Sequence, residues 1–160
     1  MILVAVGSSH FPFNRLLRSL DRLDTDEELV VQHGPSTVRP RGARCVSFVP
    51  FDELAELVRE ARVVVSHGGV GSILLALTNG KRPYVVPRRR AYGETVDDHQ
   101  LESARRFAGA GLVTLVEDPE LLPAAIVAGN GQVVPMPRGE ATLAAELRAY
   151  LQTVVGPVAP

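Results

Sequence analysis

Cysteine is nearly absent from this 160-residue chain, with Cys45 standing alone. One thiol excludes an internal disulfide and any cysteine-based metal site. Its place beside Val46, at the start of a predicted strand, reads as that of a buried structural thiol. Lysine is as scarce. Lys81 is the only one, so arginine carries the basic charge, and arginine's planar fork suits phosphate. Charge of either sign is not in excess: the formal net charge is −1, which removes bulk attraction to nucleic acid or anionic lipid. No apolar run approaches the roughly 20 residues that span a bilayer. Residues 1–7 are too short, and lack the basic flank, for a signal peptide. The expectation is a cytoplasmic protein that reaches a membrane only through a partner.

Several motifs are missing as well. No G-x-G-x-x-G follows the first predicted strand, which disfavours a dinucleotide fold, and Gly80-Lys81-Arg82 lacks the remaining residues of a P-loop. There is no G-x-S-x-G nucleophile elbow. What is present is a soluble globular composition, 46% apolar and 22% charged, in a length suited to one domain.

The most informative stretch is Val63-Val64-Val65-Ser66-His67-Gly68-Gly69-Val70-Gly71-Ser72-Ile73-Leu74. Three β-branched residues read as a strand buried on both faces. Ile73, Leu74 and Leu77 are apolar at helical spacing. Between them lies a turn rich in glycine. Glycine admits a ligand close to the backbone, and the first helical turn carries N–H groups without internal partners. Such a turn suits an anion, or needs glycine only for its own geometry.

Strand and helix signals alternate along the rest. Residues 2–6 form a strand, and Gly7-Ser8-Ser9-His10 a small-residue turn. Phe13, Leu16, Leu17 and Leu20 then mark one helix face. Strands follow at 29–31, 46–49, 83–87 and 112–115, with helices at 51–59, 97–108 and 121–128. Thr95 with Asp98, or Asp97 with Gln100, forms a capping-box pattern before the helix at 97. A last amphipathic helix at about 140–155 closes the core or docks on a partner. This order predicts an α/β, doubly wound parallel sheet of about six strands with helices on both faces. Ligands there bind beyond the carboxyl ends of the strands, where the loops 7–10, 33–36, 67–72 and 88–96 gather.

Val65-Ser66-His67-Gly68-Gly69-Val70-Gly71-Ser72-Ile73, Asn79-Gly80-Lys81, Val85-Val86-Pro87-Arg88 and Gly93-Glu94-Thr95-Val96-Asp97-Asp98-His99-Gln100 together resemble the C-terminal donor domain of family 28 glycosyltransferases. The single-domain form is the nearer match: Alg13-like proteins and bacterial exopolysaccharide glycosyltransferase subunits. Val6-Gly7-Ser8-Ser9-His10, Val31-Gln32-His33-Gly34 and Phe48-Val49-Pro50-Phe51 extend the resemblance, which reaches to about residue 115.

The resemblance implies one Rossmann-like half of a GT-B fold, with residues 1–160 as a single donor-binding domain. It implies a UDP-sugar donor and an inverting, metal-independent transfer with no cofactor. It also implies a separate, membrane-anchored Alg14-like subunit that carries a lipid-linked saccharide acceptor and the catalytic base. A homodimer replacing that subunit, and a non-catalytic binding or partner-stabilising module, are the rival expectations.

For the diphosphate, the expected contacts are Gly7, Ser8, Ser9, His67, Gly68, Gly69, Gly71, Ser72 and Arg88. His67 is weighed against a structural role. A bulky residue at Gly69 is expected to abolish binding and leave the fold intact. His10 is weighed as an acid–base group against a plain turn residue. His99 and Gln100, with Glu94 before them, are the implied sugar contacts. The backbone at Val49 and Pro50 is the implied uracil and ribose site. Asp97, Asp98, His99 and Gln100 invite a metal reading, which the absence of D-x-D spacing opposes. Leu75 stands where many members carry a ribose-contacting Glu.

Overall fold

The computed structural model describes residues 1–129, and the helix expected at about 140–155 lies outside them. The apolar runs become the strands β1 (Ile2–Ala5), β2 (Leu29–Gln32), β3 (Arg44–Val46), β4 (Val63–Ser66), β5 (Tyr84–Val85) and β6 (Thr114–Leu115). They form one six-stranded sheet in the order β3-β2-β1-β4-β5-β6, with every pairing parallel. β1, β2 and β4 are buried along their whole length, as expected of strands covered on both faces.

Side chains alternate between those faces. Ile2, Val4, Val31, Val63 and Val65 pack with Leu16 and Leu17 of α1 (Asn14–Ser19) and with Leu122 and Ile126 of α5 (Leu122–Ala128). On the other face, Leu3, Val30 and Val64 meet Leu57 and Val58 of α2 (Phe51–Glu60) and Ala76 of α3 (Val70–Thr78). Val85 there packs with Ile73 and Leu77 of α3 and with Ala104 and Phe107 of α4 (His99–Gly109). This is the doubly wound arrangement. The chain runs outward from β1 to β2 and β3, then returns to place β4 on the opposite side of β1. The topological switch point therefore lies between β1 and β4.

The strands expected at 83–87 and 112–115 are shorter, with two residues each in β5 and β6, and two further elements shift. The strand expected at 46–49 ends at Val46. His33 N donates to Val46 O and Gly34 N to Ser47 O, and Pro35, next on β2's continuation, has no N–H to give. Phe48 and Val49 thus have no partner strand. α4 begins at His99 rather than near 97, and no side-chain bond caps it. Asp97 Oδ1 instead accepts from His99 N at 3.1 Å, and Asp98 Oδ1 from Arg90 N at 3.0 Å. Cys45 lies within β3 and is only half-buried, because β3 is the edge of the sheet.

Candidate functional site at the topological switch point

In open α/β sheets the crevice beyond the carboxyl ends of the strands, where the winding reverses, is the preferred ligand site. Here it is bounded by the turns after β1 and β4. Gly7 and Gly68 adopt left-handed backbone, with φ of +79° and +87°. The His67 imidazole lies between the two turns. A Cβ at Gly7 would stand 2.4 Å from His67 Cε1, and one at Gly69 would stand 2.4 Å from His67 Nε2. Both glycines are therefore required by a buried ring, and Gly7 by its left-handed backbone too. The expectation that a bulky residue at Gly69 leaves the fold intact is corrected on this ground.

His67 is 8% exposed. Burial, and secondarily the Arg88 cation, push its pKa down to about 4. The ring is neutral near pH 7, so attraction for an anion has to come from elsewhere.

The source is α3. Its N-cap is Gly69, with extended backbone (φ −69°, ψ 131°) and no side-chain cap. Ser72 N and Ile73 N both donate to Gly69 O at 3.1 Å. The N–H groups of Val70 and Gly71 meet no acceptor among the described residues. Gly71 is exposed, and nothing lies within 4 Å of where its Cβ would be. Ser72 is half-buried behind it. The result is an open helix N-terminus at the switch point, with unpaired donors and the positive end of the helix dipole.

The turn after β1 contributes differently. Ser8 is exposed, whereas Ser9 Oγ accepts from Phe11 N at 3.3 Å, which folds the turn on itself. His10 is exposed and lies against the Phe11 ring, with centroids 4.2 Å apart.

The sequence places Arg88 on the diphosphate, and the structure gives it another task. The side chain is fully buried. Its Nη2 donates to Val6 O at 2.8 Å, and its Nη1 to Phe11 O, Glu94 O and Pro12 O at 2.9, 3.1 and 3.4 Å. The guanidinium also lies over the Phe13 ring, 4.7 Å from its centroid. Burial lowers its pKa to about 10 against the opposing pull of Glu94, so it stays a cation at pH 7. Its two terminal nitrogens are spent on carbonyls, and its Nε is buried without a partner.

Glu94, expected at the sugar, is likewise committed. Its carboxylate accepts from Arg15 Nε and Nη2, each at 2.9 Å, and from Arg89 N at 3.1 Å. Sequence reading missed both partnerships and gave Arg15, off the apolar face of its helix, no role. Nothing local marks an ion pair between residues so far apart in the chain.

Gln100 stays available. A Cβ at Gly68 would stand 3.5 Å from Gln100 Cβ, so the residue abuts the glycine turn. Its Oε1 is buried without a hydrogen-bond partner. Gln32 Oε1 and Ser66 Oγ, on strand positions flanking Ala5, are unpartnered in the same way. His99 is exposed, with Nε2 3.9 Å from Asp97 Oδ2 and Nδ1 4.0 Å from Glu102 Oε2. No group of three His, Cys, Asp or Glu side chains among the described residues is placed to hold a metal ion.

Val49 is buried in the core on the α2 side, and Pro50 is the exposed N-cap of α2. The aromatic rings that flank them, Phe48 and Phe51, are 64% and 68% exposed. An exposed ring beside the rim offers a flat apolar face to a base. Sequence reading left both unassigned, since an expected strand hides which side chains are unpaired. Leu75 is half-buried and packs against the core on the α2 side. Two concavities, about 400 and 360 Å³, lie on either side of Tyr92 and Arg15, away from the glycine turn. The α3 N–H groups are the better guide to the site, because they are unpaired donors at the switch point and neither concavity is lined by them.

Comparison with known proteins identifies the family and the fold. Residues 1–146 match the model of the glycosyltransferase family 28 C-terminal domain. The UDP-N-acetylglucosamine transferase subunit ALG13 of Mus musculus is 35% identical over 88 residues, covering 52% of this chain and 7% of that protein. The ALG13 subunit of Yarrowia lipolytica is 43% identical over 56 residues, 35% of this chain and 26% of that one. The matched stretch is thus a small part of each relative's length. Among solved structures, the calicheamicin glycosyltransferase CalG4 superposes with a TM-score of 0.63 at 21% identity, over 98% of this chain and 44% of its own. The glycotransferase of kitacinnamycin gives 0.62 at 22%, over 97% and 40%. At those identities the likeness is one of fold. With the sheet order, the open α3 turn and a sequence match over most of its length, the chain belongs to the glycosyltransferase family 28 C-terminal domain family.

Proposed function

We propose that this domain binds a UDP-sugar and serves as the donor half of a metal-independent, inverting glycosyltransferase. The observation that carries the reading is the uncapped N-terminus of α3, open at the switch point. The β-phosphate would take the N–H groups of Val70 and Gly71, with the Ser72 hydroxyl in reach of the same turn and Ser8 facing it across the crevice. Gln100 Oε1 would accept from a sugar hydroxyl. The base would lie toward Phe48, with Val49 and Pro50 backbone at its edge. The two ALG13 relatives are named as subunits of a UDP-N-acetylglucosamine transferase, which makes that donor the first to try.

In the reaction, an acceptor hydroxyl attacks the anomeric carbon from the face opposite the diphosphate. The bond from that carbon to the β-phosphate oxygen breaks, and UDP departs with the bonding electrons. Charge develops on the leaving oxygen, where fixed N–H donors and the helix dipole stabilise it more than they stabilise the bound donor. His67, held neutral, backs the turn without supplying charge. The acceptor's proton goes to a base on an Alg14-like, membrane-anchored subunit that also presents a lipid-linked saccharide at the cytoplasmic face. No helix among the described residues is long and apolar enough to cross a membrane.

Calorimetric titration of UDP and UDP-N-acetylglucosamine into the purified chain tests the donor reading. Saturable binding at one site per chain is expected, and its absence with and without the candidate partner overturns it. A second reading, a binding or partner-stabilising module without a part in transfer, is favoured by Leu75, whose packed apolar side chain offers nothing to a ribose. Reconstitution separates the two. Transfer by the partner alone, at an unchanged rate, makes this chain accessory.

A further inference from the structure

Two arginines cross the rim in opposite directions. Arg88, at the start of the loop between β5 and α4, reaches back to the carbonyls of Val6, Phe11 and Pro12 in the segment after β1. Arg15, on α1, reaches forward to the Glu94 carboxylate through two donors and to Pro87 O at 3.1 Å. Glu94 closes the figure from within the loop. Its backbone carbonyl accepts from Arg88 and its carboxylate from Arg89 N. The Glu94 side chain is 5% exposed and that of Arg15 21%, so the carboxylate is buried, the guanidinium is partly open, and the pair is bidentate. Charge-assisted pairs of that geometry fix orientation as well as add strength.

We infer that Arg88, Arg15 and Glu94 brace the loop 88–98 against the segment after β1, and that Arg15 and Glu94 are positioning residues for the sugar of the donor. The inference rests on the donor reading above. The loop runs directly into α4, whose second residue, Gln100, abuts Gly68 and carries the unpartnered amide oxygen. The diphosphate donors sit on α3, and none of the hydrogen bonds of Arg15, Arg88 or Glu94 reaches that helix. Loosening the brace therefore moves the sugar's partner and leaves the phosphate's partners in place. A brace that served stability alone would show no such preference between parts of one ligand.

The test compares Glu94→Gln and Arg15→Lys with the wild-type chain, using UDP and UDP-N-acetylglucosamine as probes and thermal unfolding as a check of folding. Glu94→Gln keeps the shape and removes the charge; Arg15→Lys keeps the charge and removes the fork. In Glu94→Gln, the ratio of the Kd for UDP-N-acetylglucosamine to that for UDP is expected to rise about tenfold, with the Kd for UDP held within about twofold. Arg15→Lys is expected to move the same ratio in the same direction by less, and carries the test if Glu94→Gln does not fold. An unchanged ratio, or equal weakening of both ligands, overturns the positioning role while the donor reading stands. A wild-type chain that binds neither ligand overturns the donor reading, and this inference with it.

Discussion

The turn after β1 and the turn after β4 look alike in sequence and lie side by side at the switch point. Each has a glycine in left-handed backbone within two residues of its strand. They differ in how far the next helix lies. After β4 the chain enters α3 directly at Val70, and the open N–H groups face the crevice. After β1 it wanders until Asn14, where a six-residue helix starts with Phe13 as its cap. Phe13 N is itself spent on Ser36 Oγ at 2.8 Å. Both turns thus wall His67, and only the one after β4 adds open donors. Small residues after a strand do not by themselves make an anion site; the helix that follows them does.

Substitutions at the glycines probe that contrast most strongly. Gly7→Ala places a methyl against the His67 ring in left-handed backbone, and is expected to lose about 3 kcal/mol or more of stability by urea unfolding. Retained stability would mean that the ring is free to move aside. Gly71→Ala is the opposite case, since its Cβ meets open space. Its stability is expected to hold, or to rise by up to about 1 kcal/mol from helix propensity.

An acid limb comes next in size. His67 titrates at about 4 in the folded chain against 6.5 ordinarily. Above pH 6.5 both states hold the ring neutral. As pH falls below that, the unfolded chain takes up the proton first, so stability declines until about pH 4, by about 3 kcal/mol in all. Glu27, held down at about 2 by its hydrogen bonds with Arg62, opposed by burial, and by the N-terminal amine, adds its own loss only below its ordinary 4.5. Unfolding measured between pH 6.5 and 4.5 therefore isolates His67. His67→Asn should be less stable at pH 7 and show a flatter curve through that window.

Ligand affinity separates the turns further. Gly71→Val fills the approach to the α3 donors, and UDP binding should weaken about tenfold or more while the chain stays folded. Ser8→Ala, on the other turn, is expected to change UDP affinity by about twofold at most. If Ser8→Ala proved the costlier change, the assignment of the donors to the turn after β4 would be reversed.

Individual residues mark where sequence reading reached and where it stopped. Val63, Val64 and Val65, and likewise Ile2, Leu3 and Val4, declare buried strands because burial on both faces leaves no polar position. Gly68, Gly69 and the apolar spacing from Ile73 place a strand-to-helix turn for reasons confined to a few neighbouring residues. Phe48 was hidden because strand pairing depends on where β2 runs out, and that is decided by Gly34 and Pro35 on another segment. Arg88 reads as a rim cation from its neighbours, yet is drawn inward by four carbonyls, three of them from residues far off in the chain.

Sequence alone determined the α/β class, the succession of strands and helices, and the glycine turn that opens α3, because these follow from side-chain periodicity and local backbone freedom. Only the tertiary structure decided which glycines make room for His67, that Arg88 and Glu94 brace two loops, and that Gln100 meets Gly68. Those are contacts between segments distant in the chain, and they arise only once the sheet has brought the carboxyl ends of β1, β4 and β5 to one rim.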